Sequence, residues 1–195
     1  MKSAAIPGYR YGDPTLPQAP YTEADLAALK QALLFTDEDV AALRRAGEIL
    51  APHVEELLDI WYGFVGNHDF LLRYFSTPEG PHQEYLARVR QRFGQWVLDT
   101  CRAEFDQRWL DYAYEIGRRH FDRKNQTDNV EGAPPFVHYR YMIALVYPIY
   151  ATVRPFLERG ERDPAQVERM HQAWLKAVLL QAILWTYPYV KEGVF

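Results

Sequence analysis

The chain is expected to fold as an all-α domain of about seven or eight helices, and three observations carry that expectation. Apolar residues recur every three or four positions through most of the 195 residues, the spacing of one buried helix face. Thr22 and Thr36 each precede an aspartate by three residues and introduce an apolar run, the pattern of a helix N-terminus. No convincing strand stands out, and no unit recurs with a period of roughly 20–50 residues. Helix packed on helix is the layer arrangement left.

The elements follow in order. Residues 1–21 hold four of the 13 prolines and two glycines around Tyr9, Tyr11 and Tyr21. They read as an extended arm, and the tyrosines favour its lying across a single domain of residues 22–195. "TEADLAALKQALL" opens with Thr22 as cap and Asp25 reaching back; "TDEDVAALRRAGEIL" repeats the device with Thr36 and Asp39. "PHVEELLDIWYGFVG" begins on Pro52, tolerated where a first-turn N–H would have no partner, and carries Leu57, Leu58, Trp61 and Val65 at helical spacing. Gly63 and Gly66 are expected to permit close helix crossing. After the loop "YFSTPEGP", the next helix lines up Leu86, Val89, Phe93, Trp96, Val97 and Thr100. "DQRWLDYAYEIGRRH" follows, and then the polar "DRKNQTDNVEGAPP". Two long helices close the chain, at about 135–158 with a kink at Pro148, and at about 164–187.

Composition narrows the function. A net charge of −4 supplies no basic face for nucleic acid. "MIALVYPIYATV" is too short to span a bilayer, and the first residues lack a signal-peptide core, so a cytoplasmic protein is expected. Lone Cys101 excludes an intrachain disulfide and any multi-cysteine metal site. Ser3 and Ser76 stand outside any nucleophile elbow, and the glycines form no phosphate-cradling loop.

Six histidines remain. A di-iron carboxylate bundle needs two Glu-x-x-His motifs, and only "ERMH", Glu168 to His171, has that spacing. Zinc would want closely spaced His or Cys ligands, which are missing. Heme asks for one neutral imidazole and apolar walls. On a helical wheel Trp109, Ala113, Ile116 and Gly117 fall within about 60° of His120, and Gly117 leaves open space one turn before it. Such a histidine is more often a packed core residue, and both readings stay open on spacing alone. Trp61, Tyr62 and Phe93 could form a facing wall, though ordinary core packing is the better reading of each taken singly. The run "RRHFDRK" reads as a solvated helix end, its cations favourable beside a helix C-terminus.

Seven stretches add a resemblance: "IPGYRYG", "DIWYGFVG", "RVRQRFGQWVLDTC", "WLDYAYEIGRRH", "KNQTDNV", "YRYMIALVYPI" and "QAILWTYPYVK", from Ile6 to Lys191. In these, and in their order, the chain resembles the protoglobins, single-domain relatives of the heme domains of globin-coupled sensors. The resemblance implies a globin fold with an extra N-terminal helix and an N-terminal arm around heme b. It implies that His120 is the proximal iron ligand. Trp61 and Tyr62 would face the distal side, with Phe93 beside them. Val89, Tyr112 and Ile116 would continue the heme wall, as would Met142, Leu145 and Ile149. Arg92 is the expected partner of a heme carboxylate, because guanidinium and carboxylate pair well.

The implied function is reversible binding of O2, CO or NO in gas binding or sensing, with ligands entering through apolar tunnels. Homodimers through the last two long helices are implied as well. A heme redox enzyme acting on NO, peroxide or other reactive nitrogen and oxygen species ranks second, since no helix-borne distal histidine stands near a catalytic arginine. Two positions depart from the family pattern. Phe121 replaces an expected second histidine and should reshape the pocket floor; Leu145 replaces a common aromatic and should open the distal side.

Overall fold

The structure is a computed structural model that describes residues 5–191 and 193–195. Among the described residues there are nine α-helices: α1 (Glu23–Ala32), α2 (Asp37–Leu50), α3 (Val54–Gly66), α4 (Asp69–Leu72), α5 (Gln83–Arg102), α6 (Gln107–His120), α7 (Tyr139–Ala144), α8 (Val146–Gly160) and α9 (Pro164–Trp185). Their starts are chemically marked. Thr22 Oγ1 accepts the Asp25 N–H at 3.2 Å, while Asp25 Oδ2 accepts the Thr22 N–H at 2.7 Å. Asp39 accepts the Thr36 N–H at 2.7 Å and also pairs with Lys176 of α9 at 2.9 Å, so one carboxylate caps α2 and ties it down. Asp106 and Asp163 are themselves the cap residues of α6 and α9, accepting the N–H of Trp109 and of Ala165.

α9 is the central helix, with α2, α6 and α8 packed against it. It is apolar around most of its circumference, as a helix with neighbours on several sides must be. Leu43, Val97, Val153, Leu157, Ala173 and Trp174 meet in the main core. One polar chain crosses it: Trp96 Nε1 donates to Gln181 Oε1 at 2.6 Å, and Gln181 Nε2 donates to Thr100 Oγ1 at 3.1 Å. Burying these groups without partners would cost on the order of 1–3 kcal/mol each, so the chain fixes how α5 faces α9. Cys101 lies in this core, where burial pushes its thiol up to about 12 and leaves it unreactive.

Three local expectations need correction. A two-residue hairpin, β1 (Ser76–Thr77) with β2 (Gly80–Pro81), occupies the loop after α4, where no strand is expected. The helix expected over 135–158 is two helices, interrupted at Leu145 instead of kinked at Pro148. Proline has no N–H to offer the carbonyl four residues back, so Pro148 disturbs the chain near Ala144, one turn earlier. Gly63 and Gly66 face open space; the glycines that permit close approach include Gly47, against Cys101, and Gly94, against Val54 and Leu58. The arm lies across the domain: Tyr21 is buried, and Tyr9 and Tyr11 set their rings edge-on to Tyr112.

Gly117 also differs from its expected role. The space beside it is filled by the Trp185 backbone, whose carbonyl oxygen would lie 2.8 Å from an added Cβ. Gly117→Ala must therefore push α6 away from α9, and a backbone neighbour cannot rotate aside. The expected outcome is a loss of about 1–3 kcal/mol in stability, read as a lower urea midpoint at unchanged slope.

Candidate functional site

α6 sets His120 in its last turn, and the ring is held from several sides. Its Nδ1 lies 2.9 Å from the Ile116 carbonyl oxygen, so Nδ1 carries the proton and Nε2 keeps the lone pair. Burial lowers the imidazole pKa, the Ile116 bond opposes this, and the charges of Lys124 and Arg119 add to the lowering. The neutral ring is the favoured form. Trp185 stacks beside it, with centroids 5.5 Å apart and planes at 15°. The His120 carbonyl, an orphan at a helix end, accepts from Val137 N–H at 2.7 Å and from the Tyr189 hydroxyl at 2.8 Å.

His120 borders a cavity of about 250 Å3, counted as the space open to the centres of water molecules. The ten other residues that the resemblance assigned to a heme wall border it too. Trp61 and Tyr62 come from α3; Val89, Arg92 and Phe93 from α5; Tyr112 and Ile116 from α6. Met142 of α7, Leu145 and Ile149 close the opposite side. Phe93 stands edge-on to Trp61 at 5.6 Å and to Tyr62 at 6.4 Å. Burial raises the Tyr62 pKa, which keeps the phenol protonated and able to donate.

The helical wheel placed too much of α6 on this face. Trp109 and Ala113 pack with Leu110, Leu180 and Leu184 instead, and the cavity receives Tyr112, Ile116, Arg119 and His120. Phe121 does not form a pocket floor: its ring rests on Tyr189 at 4.6 Å, and it is not among the cavity-lining residues. Nor is "RRHFDRK" a solvated helix end. Arg118 pairs with Asp122 at the surface, but Arg119 and Lys124 turn inward and border the cavity.

That inward turn builds a polar edge that periodicity could not reveal. Arg92 forms a two-pronged pair with Asp128, at 3.0 and 2.5 Å, and donates to the Pro7 carbonyl at 2.9 Å. Arg119 bonds Glu115 at 2.9 Å and the Gly8 carbonyl at 2.6 Å. Two arginines of the cavity wall thus fasten the arm, and Tyr9 adds a bond to Asp99 at 2.6 Å. Gly8 has φ +74°, and a Cβ there would come within 2.7 Å of Arg92 Nη1, so this latch needs glycine. Asp128, Lys124 and Trp185 are among the bordering residues that sequence reasoning passed over. The first two lie in a polar loop with no period to place them.

Among the described residues no group of three or more His, Cys, Asp or Glu is arranged to hold a metal ion. The "ERMH" pair serves packing: Glu168 bonds Arg154 at 2.8 Å, and His171 Nε2 donates to the Tyr150 carbonyl at 2.9 Å. No described helix is long and apolar enough to cross a membrane.

Comparison with known proteins adds three findings. The Protoglobin family model matches residues 22–194. The globin domain of a Geobacter sulfurreducens globin-coupled sensor has a similar structure, with a TM-score of 0.66 and 16% sequence identity, covering 85% of this chain and 98% of that one. A search of curated proteins finds no match.

Lys124 supplies a pH test of this geometry. Burial pulls its ammonium from the ordinary 10.5 down to about 8. Between these values the unfolded chain holds the proton that the folded chain has released, so stability rises with pH. Lys124 should contribute a gain on the order of 1–2 kcal/mol between about pH 8 and 9.5, offset in part by Cys101, whose thiol ionises there in the unfolded chain but not in the fold. Lys124→Met should flatten that rise in urea titrations at a series of pH values.

Proposed function

The chain belongs to the protoglobin family of globin-type heme proteins, and on that premise we propose that it binds heme b through His120 and holds O2, CO or NO for gas sensing. The observation that carries this reading is the state of the His120 ring. Its Nδ1 proton is committed to Ile116, and the ring borders a largely apolar cavity. A single neutral imidazole with a free Nε2 fits a cofactor that asks for one axial nitrogen and apolar walls. When bound, heme iron supplies the coordination position at which a diatomic gas is held.

The chain's own groups do the rest. Trp185 and the Ile116 carbonyl keep the imidazole from turning, and Val89, Ile116 and Met142 offer apolar wall. Trp61 and Phe93 pack at the distal side and keep water out. Tyr62, paired with no residue that affects its ionisation by hydrogen bonding, has a phenol free to donate to a small polar ligand. Leu145 in place of a large aromatic leaves this side roomier.

Further parts of the reading rest on the same premise. Residues 22–195 act as one domain whose cavity wall is fastened by the arm. A homodimer through α8 and α9 fits the exposure of Tyr147 at 71%, an aromatic with no covering in one protomer. A cytoplasmic setting suits lone, reduced Cys101.

Two measurements test the proposal. Purified protein should show a Soret band that shifts on reduction and on CO addition, and His120→Ala should lose it or hold heme weakly. Unchanged spectra and heme retention in that variant would remove His120 from its role. Tyr62→Phe should speed O2 release roughly fivefold, the equivalent of one hydrogen bond of about 1 kcal/mol. An unchanged rate, followed by flash photolysis, would leave Tyr62 a packing residue.

A further inference from the structure

Three cations border the cavity, and they differ in how their charge is met. Arg92 faces the Asp128 carboxylate and Arg119 the Glu115 carboxylate. Lys124 has no such partner among the described residues: its Nζ donates to two neutral acceptors, the Tyr74 carbonyl at 2.8 Å and Asn125 Oδ1 at 3.0 Å. The residue is only 5% exposed, and the ammonium lies 5.4 Å from the centre of the Tyr85 ring. Burial is the sole cause that moves its pKa, so no neighbouring carboxylate offsets the desolvation. An ammonium can donate three hydrogen bonds, and one remains after Tyr74 and Asn125.

A buried lysine without a counter-ion is costly, and proteins seldom retain one unless something supplies the missing anion. Heme carries two carboxylates on one edge and no other anionic groups on its ring. Arg92, the guanidinium expected from sequence to meet one of them, already has Asp128. Building on the heme reading above, we infer that Lys124 is the cavity's anion-binding residue and takes a carboxylate of the porphyrin. The site then discriminates by charge: it prefers a porphyrin with a free acid edge to the same ring with that edge esterified. The Tyr74 carbonyl and Asn125 hold the ammonium in place, so Lys124 meets the acid with little rotamer freedom left to lose.

The test crosses one protein change with one cofactor change. Apoprotein, parent and Lys124→Met, is reconstituted with heme and with heme dimethyl ester, and transfer of each porphyrin to excess apomyoglobin is timed. The parent should release the ester faster than heme. Lys124→Met should release heme at least about tenfold faster than the parent, as loss of a charge-assisted hydrogen bond implies. Both proteins should release the ester at equal rates. Lys124→Gln, which keeps a donor toward Tyr74, should behave as Lys124→Met does, and far-UV circular dichroism of both apoproteins should match the parent. An equal acceleration for heme and its ester would overturn the assignment while leaving the heme reading intact. A parent chain that takes up neither porphyrin overturns the heme reading and this inference together.

Discussion

The hydrogen bond between His120 Nδ1 and the Ile116 carbonyl is the constraint on which the site depends. It decides which ring nitrogen bears the proton and therefore which one is left for a ligand. The bond holds only if the last turn of α6 holds. That turn is capped by Val137 and Tyr189, and it meets α9 closely enough that Gly117 has no room for a side chain. Trp185, at the end of α9, both fills that space and stacks beside the imidazole. The central helix thus buries the core along its length and orients the histidine at its end.

The polar edge of the cavity obeys a second constraint, the high cost of burying charge. Arg92 and Arg119 are admitted because each has a carboxylate, and their remaining donors reach the Pro7 and Gly8 carbonyls of the arm. The arm is consequently ordered by the same groups that border the site. Lys124 breaks the pattern, and the imbalance points to an anion from outside the chain. The apolar side needs no such arrangement, since Phe93, Leu145 and Ile149 can face a cavity without an unmet hydrogen bond.

Much of this was legible in the sequence where a local rule applied. The threonine–aspartate spacing located the starts of α1 and α2, because a cap is made within four residues. Helical spacing found α3, α5, α6 and α9, and family resemblance brought together residues from five helices that all border one cavity. Legibility failed where the deciding neighbour was distant. Gly63 and Gly66 look like crossing glycines, yet Gly47, Gly94, Gly117 and Gly160 are the ones opposed by another helix. Pro148 was readable as a disturbance, but its effect falls a turn earlier, where the missing N–H is felt. "RRHFDRK" looks solvated because its cations are adjacent in sequence, although alternate members turn to opposite sides.

Read from the sequence alone, the all-α class, the order of the helices and the capped starts of α1 and α2 were already settled, while His120 stayed open between core packing and ligation until the family resemblance singled it out. The first three follow from local propensity and periodicity, which act over a few residues. Tertiary structure alone decided that the arm is latched by Arg92 and Arg119, that Phe121 leaves the pocket, and that Lys124 is buried without a carboxylate. Each of these depends on pairing across long stretches of chain, from Arg92 to Asp128 or from Lys124 to Tyr74. No spacing rule encodes such a pairing; only the packing that excludes water around it makes the charge matter.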